Sequence, residues 1–273
     1  MSNPTLPAEL LDNIADRLNT TRVLRSCCLV SKSWIPRTRR HLFAKIKFGL
    51  PEELESWKRM FPDPSTSPAC YTKTLIIGRL RAVTIADAEA GGWIRGFSRV
   101  AHLEVSGFLA DNIALLLHGF SPAVKSLHID VSVLSPSWIF SLTLSFPLLE
   151  DLRVMGWEVL DGGSPVIQPS NLPMFTGSLE LSMPGMEPIV RQLLSLPGGI
   201  HFRRLTLDWT RDEDGSLTTA LVERCSHTLE SLSLACDPLG TFIRRLRPYR
   251  WLTICFQSGQ VRSTSRKRQS SKT

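Results

Sequence analysis

The sequence feature that most constrains the fold is a short apolar triplet that recurs along most of the chain. Each triplet has leucine first and leucine, isoleucine or valine third, and successive triplets start 28, 24, 25, 27, 26 and 27 residues apart. Alternating apolar residues are typical of a strand with one buried face, and a period of about 20–29 residues indicates one structural unit per repeat. The seven triplets are Leu75/Ile77, Leu103/Val105, Leu127/Ile129, Leu152/Val154, Leu179/Leu181, Leu205/Leu207 and Leu232/Leu234.

A second apolar position separates this series from chance matches elsewhere in the chain. This position lies three residues before the first leucine of the triplet, and in two units it is occupied by Thr72 and Thr176. The other five units have an apolar residue there: Val100, Val124, Leu149, Phe202 and Leu229. Helix-like or irregular return segments are predicted between the units, at 111–120, 136–146, 188–196 and 216–225. Because one such unit cannot bury its apolar face alone, stacked units are expected to share one core.

The residues beside the triplet positions are expected to face outward. Among them, five acids outnumber two arginines, so we expect this face to bind a neutral or basic segment of a partner protein. A phosphorylated ligand would need clustered arginines instead. The alternative is a solvated strand face that is polar without binding anything. The candidate substrate-binding residues are Glu104, His128, Asp130, Arg153, Glu180, Arg204 and Asp208.

The first fifty residues follow a different pattern, which predicts three short helices between residues 6 and 48. Leu10, Ile14 and Leu18 recur at the helical spacing and form one apolar stripe. A helical unit of about 40 residues is close to the lower limit for independent stability. It also has more apolar positions than three short helices can cover, so the rest of the chain or a partner must cover the remainder.

These residues carry a specific resemblance. The strings Leu-Pro-Ala-Glu-Leu-Leu-Asp-Asn-Ile (6–14), Leu-Arg-Ser-Cys-Cys-Leu-Val-Ser-Lys-Ser-Trp (24–34) and Arg-His-Leu-Phe (40–43) resemble an F-box of the fungal type, over residues 5–48. The resemblance implies docking on the Skp adaptor of an SCF (cullin-RING) ubiquitin ligase. The alternative is a helical hairpin that caps the rest of the chain. The adaptor contacts carried over from the family are Leu6, Pro7, Leu10, Ile14, Val30 and Trp34.

The repeat region resembles the degenerate leucine-rich repeats attached to many F-boxes. This implies a mixed α and α/β architecture: a three-helix F-box, then an irregular solenoid of about seven strand-plus-return units with parallel strands on its concave side. The expected boundaries are a linker helix and Pro/Ser-rich connector at 49–70, the repeat region at 71–257 and a disordered basic tail at 258–273. Residues 251–254 are expected to form a terminal cap or an eighth strand.

The charge distribution argues against nucleic-acid binding by the body of the protein. The chain carries a net charge of +7, but residues 1–50 hold +6 and residues 244–273 hold +9, which leaves −8 on residues 51–243. Binding to phosphates needs basic residues on a folded face. A further hypothesis, separate from the F-box resemblance, is a nuclear protein that is recruited to nucleic acid by its basic tail. The tail's Arg-Lys-Arg at 266–268 could act as an import signal or be a solvated tail.

No motif predicts catalysis, a metal site or a cofactor. The histidines lack metal-ligand spacing, the Cys225/His227 pair is read as packing, and no Ser/His/Asp or Cys/His constellation can be assigned. Six scattered cysteines, no signal peptide and no apolar run of about 20 residues favour a cytoplasmic and/or nuclear protein.

The expected function is therefore a non-enzymatic substrate receptor. Its partners would be the Skp adaptor, the cullin and an unidentified protein substrate. The alternative is a repeat scaffold, or a shortened decoy, without ligase-receptor activity.

Overall fold

The computed structural model describes residues 7–18, 20–30, 32–78, 92–108, 117, 119–134, 145–159, 176–182, 187–196, 199–208, 216–234 and 253–256. Leu6, the tail at 258–273, and most of the predicted return segments at 111–120 and 136–146 lie outside these residues. Within the described ranges, no helix is both long enough and apolar enough to cross a membrane.

Three helices occupy the N-terminal region: α1 (Ala8–Asp16), α2 (Thr21–Val30) and α3 (Ile35–Leu42), with a 3-10 turn at Lys32–Trp34 before α3. Polar contacts tie α3 to the other two. The Arg37 Nε lies 2.6 Å from the Asp12 carboxylate, and the buried Thr38 hydroxyl lies 2.8 Å from the Cys28 Sγ. The helices therefore pack as one unit.

The body is built on a parallel sheet, which confirms the α/β prediction. Among the described residues the sheet has nine strands, and their spatial order is the order of the sequence. Every neighbouring pair is parallel. The strands are β1 (Lys45–Phe48), β2 (Thr74–Gly78), β3 (His102–Phe108), β4 (Ser126–Leu134), β5 (Asp151–Val159), β6 (Thr176–Ser182), β7 (His201–Asp208), β8 (Ser231–Leu234) and β9 (Thr253–Phe256).

The leucine triplets set the register of this sheet. Leu75 is paired with Leu103, Leu103 with Leu127, and the alignment continues through Leu232 on β8. All fourteen triplet side chains are buried in one continuous core, and so are the five apolar residues three positions upstream. The predicted ladder is confirmed as the core of the molecule.

The described helices form a second layer on one face of the sheet. Short helices α4 (Pro51–Met60), α5 (Gly92–Arg95), α6 (Glu187–Leu194) and α7 (Ser216–Arg224) contribute buried side chains to the same core as the triplets. Helices α6 and α7 confirm the return segments predicted at 188–196 and 216–225. The opposite face carries the residues between the triplet positions, which are half-buried or exposed, and we call it the open face.

Many of the units are also joined by a repeated backbone contact just before the strand. The Ala44 carbonyl accepts hydrogen bonds from the amides of Lys73 and Thr74, at 2.9 and 3.0 Å. The Lys73 carbonyl accepts in the same way from Ala101 and His102 in the next unit. The pattern reaches β6 with a single bond, from the Ser178 amide to the Glu150 carbonyl at 2.8 Å, where Gly177 has a φ of 115°.

The sheet extends beyond the seven predicted units at both ends. Residues 45–48, within the segment predicted as an F-box, form β1, and Ile46 is paired with Leu75. Residues 49–70, expected to be a linker, pack into the core through Leu54 and Trp57 of α4. At the other end, β9 pairs with β8. Of the two structures expected near residues 251–254, a terminal cap or a further strand, the structure has the strand.

Candidate functional site

A groove of about 470 Å³ lies on the open face and crosses six strands, from β2 to β7. Since neighbouring side chains of a strand point to opposite faces, the buried triplets direct the residues between them into this groove. Its lining side chains on the open face are Thr74, His102, Glu104, Ser126, His128, Asp151, Arg153, Ser178, Glu180, Arg204 and Thr206.

The structure brings together five of the seven residues predicted to bind substrate. Glu104, His128, Arg153, Glu180 and Arg204 all line the groove. The first four stand at one register position on the consecutive strands β3 to β6, so they form a row across the sheet.

The other two predicted residues do not line the groove. Asp130 and Asp208 lie on β4 and β7, two residues further along their strands than the row position. The predicted set also omits lining residues such as Ser126, Asp151 and Ser178. Each of these comes directly before the first leucine of its unit, and that position is the signal that identifies them.

Side-chain contacts within the groove neutralise part of its charge. The Arg153 guanidinium lies 3.1 Å from the Glu180 carboxylate on the next strand. The Ser178 hydroxyl donates to the Asp151 carboxylate, again across neighbouring strands. The Nε2 of His128 lies 3.4 Å from the Met155 sulfur. The middle of the groove is therefore held by contacts between strands.

His128 is the groove residue with a clearly displaced titration. Partial burial lowers the pKa of His128 below its ordinary value of 6.5, because the imidazolium form loses hydration there. The positive charge of Arg153 lowers this pKa further, while the nearby acids Glu104, Asp130 and Glu180 oppose the shift. The imidazole is therefore neutral at pH 7.

Acidification through this range is expected to weaken the fold through His128. The unfolded chain binds a proton at about pH 6.5, whereas the folded pKa is lower, so this group's contribution to the free energy of unfolding falls as the pH drops below about 6.5. His128→Gln should make the urea midpoint less sensitive to pH between about 7.5 and 5.5. A variant with the pH dependence of the parent would show that another group causes it.

The described residues offer little to metal or nucleophilic chemistry. They contain no group of three or more His, Cys, Asp or Glu side chains that could hold a metal ion. Cys225 is buried beneath the sheet, and burial raises the pKa of its thiol to about 11. The thiolate needed for attack or metal binding is therefore scarce at neutral pH, which agrees with reading Cys225 as packing.

A second candidate surface lies on the N-terminal helices. Leu10 and Ile14 of α1 are 48% and 41% exposed, although both are large apolar residues. Leu29 and Val30 at the end of α2 are 89% and 74% exposed. Val23 is exposed as well, so one short helical unit leaves five large apolar side chains in contact with water. Large exposed apolar side chains on a small helical unit are candidates for contact with a partner.

The residues predicted to contact the adaptor fall partly on this surface. Leu10, Ile14 and Val30 belong to it, Pro7 is exposed directly before α1, and Trp34 is half-buried in the turn before α3. Leu6 lies outside the described residues. Leu29 is the most exposed of the group and is absent from the predicted set. Its position directly before Val30 in the sequence is the signal for it.

Comparison of the chain with protein-family models and with curated proteins finds no match. The two surfaces and the resemblance carried by residues 5–48 are therefore the features that bear on function.

Proposed function

We propose that this chain is the substrate-recognition subunit of an SCF-type ubiquitin ligase. In this proposal the N-terminal helices dock on the Skp adaptor, which connects the chain to the cullin, and the groove on the open face binds a protein substrate. The proposal does not require a catalytic residue in this chain. Its mechanism is proximity, because binding both partners raises the local concentration of substrate near the conjugating machinery.

The observation that carries the proposal is the set of apolar side chains left exposed on α1 and α2. Their exposure costs solvation free energy that burial against a partner would recover, at about 25 cal/mol per Å² of apolar surface. Among the residues that the structure describes, the core of the body is formed without these side chains, and they stay exposed. Three of the exposed residues, Leu10, Ile14 and Val30, coincide with positions that the F-box resemblance assigns to the adaptor.

The test is capture of a purified Skp adaptor by the full chain, compared with a Leu10→Ala/Ile14→Ala variant. Truncating two interface anchors is expected to cost about 2 kcal/mol each, or about 4 kcal/mol together, which corresponds to a loss of affinity of about a thousandfold. Because both side chains are exposed, the variant should keep the urea midpoint of the parent. Affinity measured by titration calorimetry and unfolding measured by circular dichroism separate the two effects.

Met60→Ala/Leu148→Ala is the matched control, because it removes two exposed apolar side chains outside α1 and α2. It should bind the adaptor like the parent. If the parent does not bind the adaptor, the helices are a structural cap and the receptor proposal is wrong. If the parent binds the adaptor but supports no ubiquitin transfer in a reconstituted ligase, the scaffold or decoy reading takes its place.

A further inference from the structure

We infer that the groove binds an extended peptide carrying a basic and an acidic side chain about six residues apart, the base at Glu104 and the acid at Arg204. This inference specifies the substrate class of the groove, and in that respect it rests on the proposed function. It is carried by two opposite charges, at the two ends of one groove, that have no ion-pair partner among the described residues.

Glu104 is the unpaired charge at the β3 end. It lines the groove and is half-buried, and none of the described residues forms an ion pair with its carboxylate. At the same register position, its neighbours on β2 and β4 are Ile76, which is apolar, and His128, which partial burial keeps uncharged at pH 7. A partly desolvated carboxylate without a countercharge favours a basic ligand group.

Arg204 is the unpaired charge at the β7 end. Its side chain is exposed to the groove, and the guanidinium makes no ion pair or hydrogen bond with any other residue that the structure describes. Its register neighbours are Ser178 on β6 and Ser231 on β8, neither of which is charged. A guanidinium in this setting presents its donors to a carboxylate in a two-point geometry.

The groove between these ends selects against acidic side chains. Arg153 and Glu180 form an ion pair with each other, so neither charge needs a ligand group. The Asp151 carboxylate accepts a hydrogen bond from the Ser178 hydroxyl, which brings no positive charge to it. An acid of the ligand placed over the centre would therefore meet a carboxylate and no free cation, which leaves the Arg204 end as the position for it.

The spacing of the two charges follows from the sheet. Glu104 on β3 and Arg204 on β7 are separated by four strand steps and by two residues along the strand direction. With about 4.8 Å between strands and about 3.3 Å per residue, the two positions are about 20 Å apart. An extended peptide covers that distance in about six residues.

The test uses twelve-residue peptides of mixed Ser, Gly, Ala, Thr and Leu with two fixed charges. The two charged residues are Lys and Glu in either order, two Lys or two Glu, and they are separated by three to nine residues. Binding of the labelled full chain to each peptide is measured. The parent should favour Lys/Glu at about six residues. Glu104→Arg should shift the preference to Glu/Glu, and Arg204→Glu should shift it to Lys/Lys, each by about fivefold.

Two controls change the net charge equally at exposed positions that do not line the groove: Glu223→Arg and Arg203→Glu. Both should keep the Lys/Glu preference. The inference is overturned if the parent shows no such preference, or if each control shifts the preference as far as its groove variant does. Adaptor capture is measured on the same preparations. Loss of peptide selectivity contradicts the inference about the groove, whereas loss of adaptor binding contradicts the proposed function.

Discussion

Replacing Gly177 with alanine is expected to lower the free energy of unfolding by about 3 kcal/mol or more. Two costs act together at this position. The φ of 115° lies in a region that residues with a side chain rarely adopt, which costs about 1–3 kcal/mol. An added Cβ would also fall within the van der Waals radius of the Glu150 carbonyl oxygen, the acceptor that joins β5 to β6. The backbone of one unit must therefore move.

Urea unfolding followed by circular dichroism measures this effect. Gly49→Ala is the matched control, because a Cβ there meets only side-chain atoms at ordinary distances, the nearest being Glu53 Oε2 at 3.6 Å. That variant should stay within about 0.5 kcal/mol of the parent. Equal midpoints for the two alanine variants would mean that the close approach between Gly177 and Glu150 is not required by the fold.

The second large effect is expected for Trp57→Ala, which should cost about 3–5 kcal/mol of the free energy of unfolding. Trp57 of α4 is only 8% exposed. Its ring lies 4.6 Å from the Phe61 ring and 6.0 Å from the Phe97 ring, between centroids, and it meets Phe48 of β1 edge-on at 5.8 Å. Removing the indole leaves a cavity among aromatic side chains that cannot close over it.

Met60→Ala on the same helix is the control. Because the Met60 side chain is 65% exposed, this substitution should change the free energy of unfolding little. Circular dichroism is the better probe here, because the substitution removes a fluorescent residue. If residues 49–70 served only to connect the N-terminal helices to the body, both substitutions would have small effects, and the packing of α4 into the core would be contradicted.

The core and its register could be predicted because the period of the strand ties each buried side chain to a fixed place in the sequence. The unit missed before the first triplet has the same spacing with other residues. In the sequence, Phe43 stands three positions before Ile46 of β1, and Phe48 stands two positions after it. A ladder defined by a leading leucine excludes this unit, although isoleucine fills the position equally well.

The candidate site was only partly accessible to such reasoning. The triplets determine which residues face outward. They also predict that Arg153 and Glu180, which are 27 residues apart in the sequence, lie side by side in the sheet. The limits of the groove do not follow, because they depend on the shape of the whole sheet. Asp130 and Asp208 share strands with lining residues and still lie outside the groove.

The strand order also determines how far the effect of a substitution extends through the sheet. Each of the nine described strands bonds to the strands directly before and after it in the sequence, so this part of the sheet is a line of nearest neighbours. A substitution on the open face of one unit alters that unit and at most its two neighbours. The residues of the groove can therefore be exchanged one unit at a time, while the other units keep their packing and the apolar side chains of α1 and α2 are not affected.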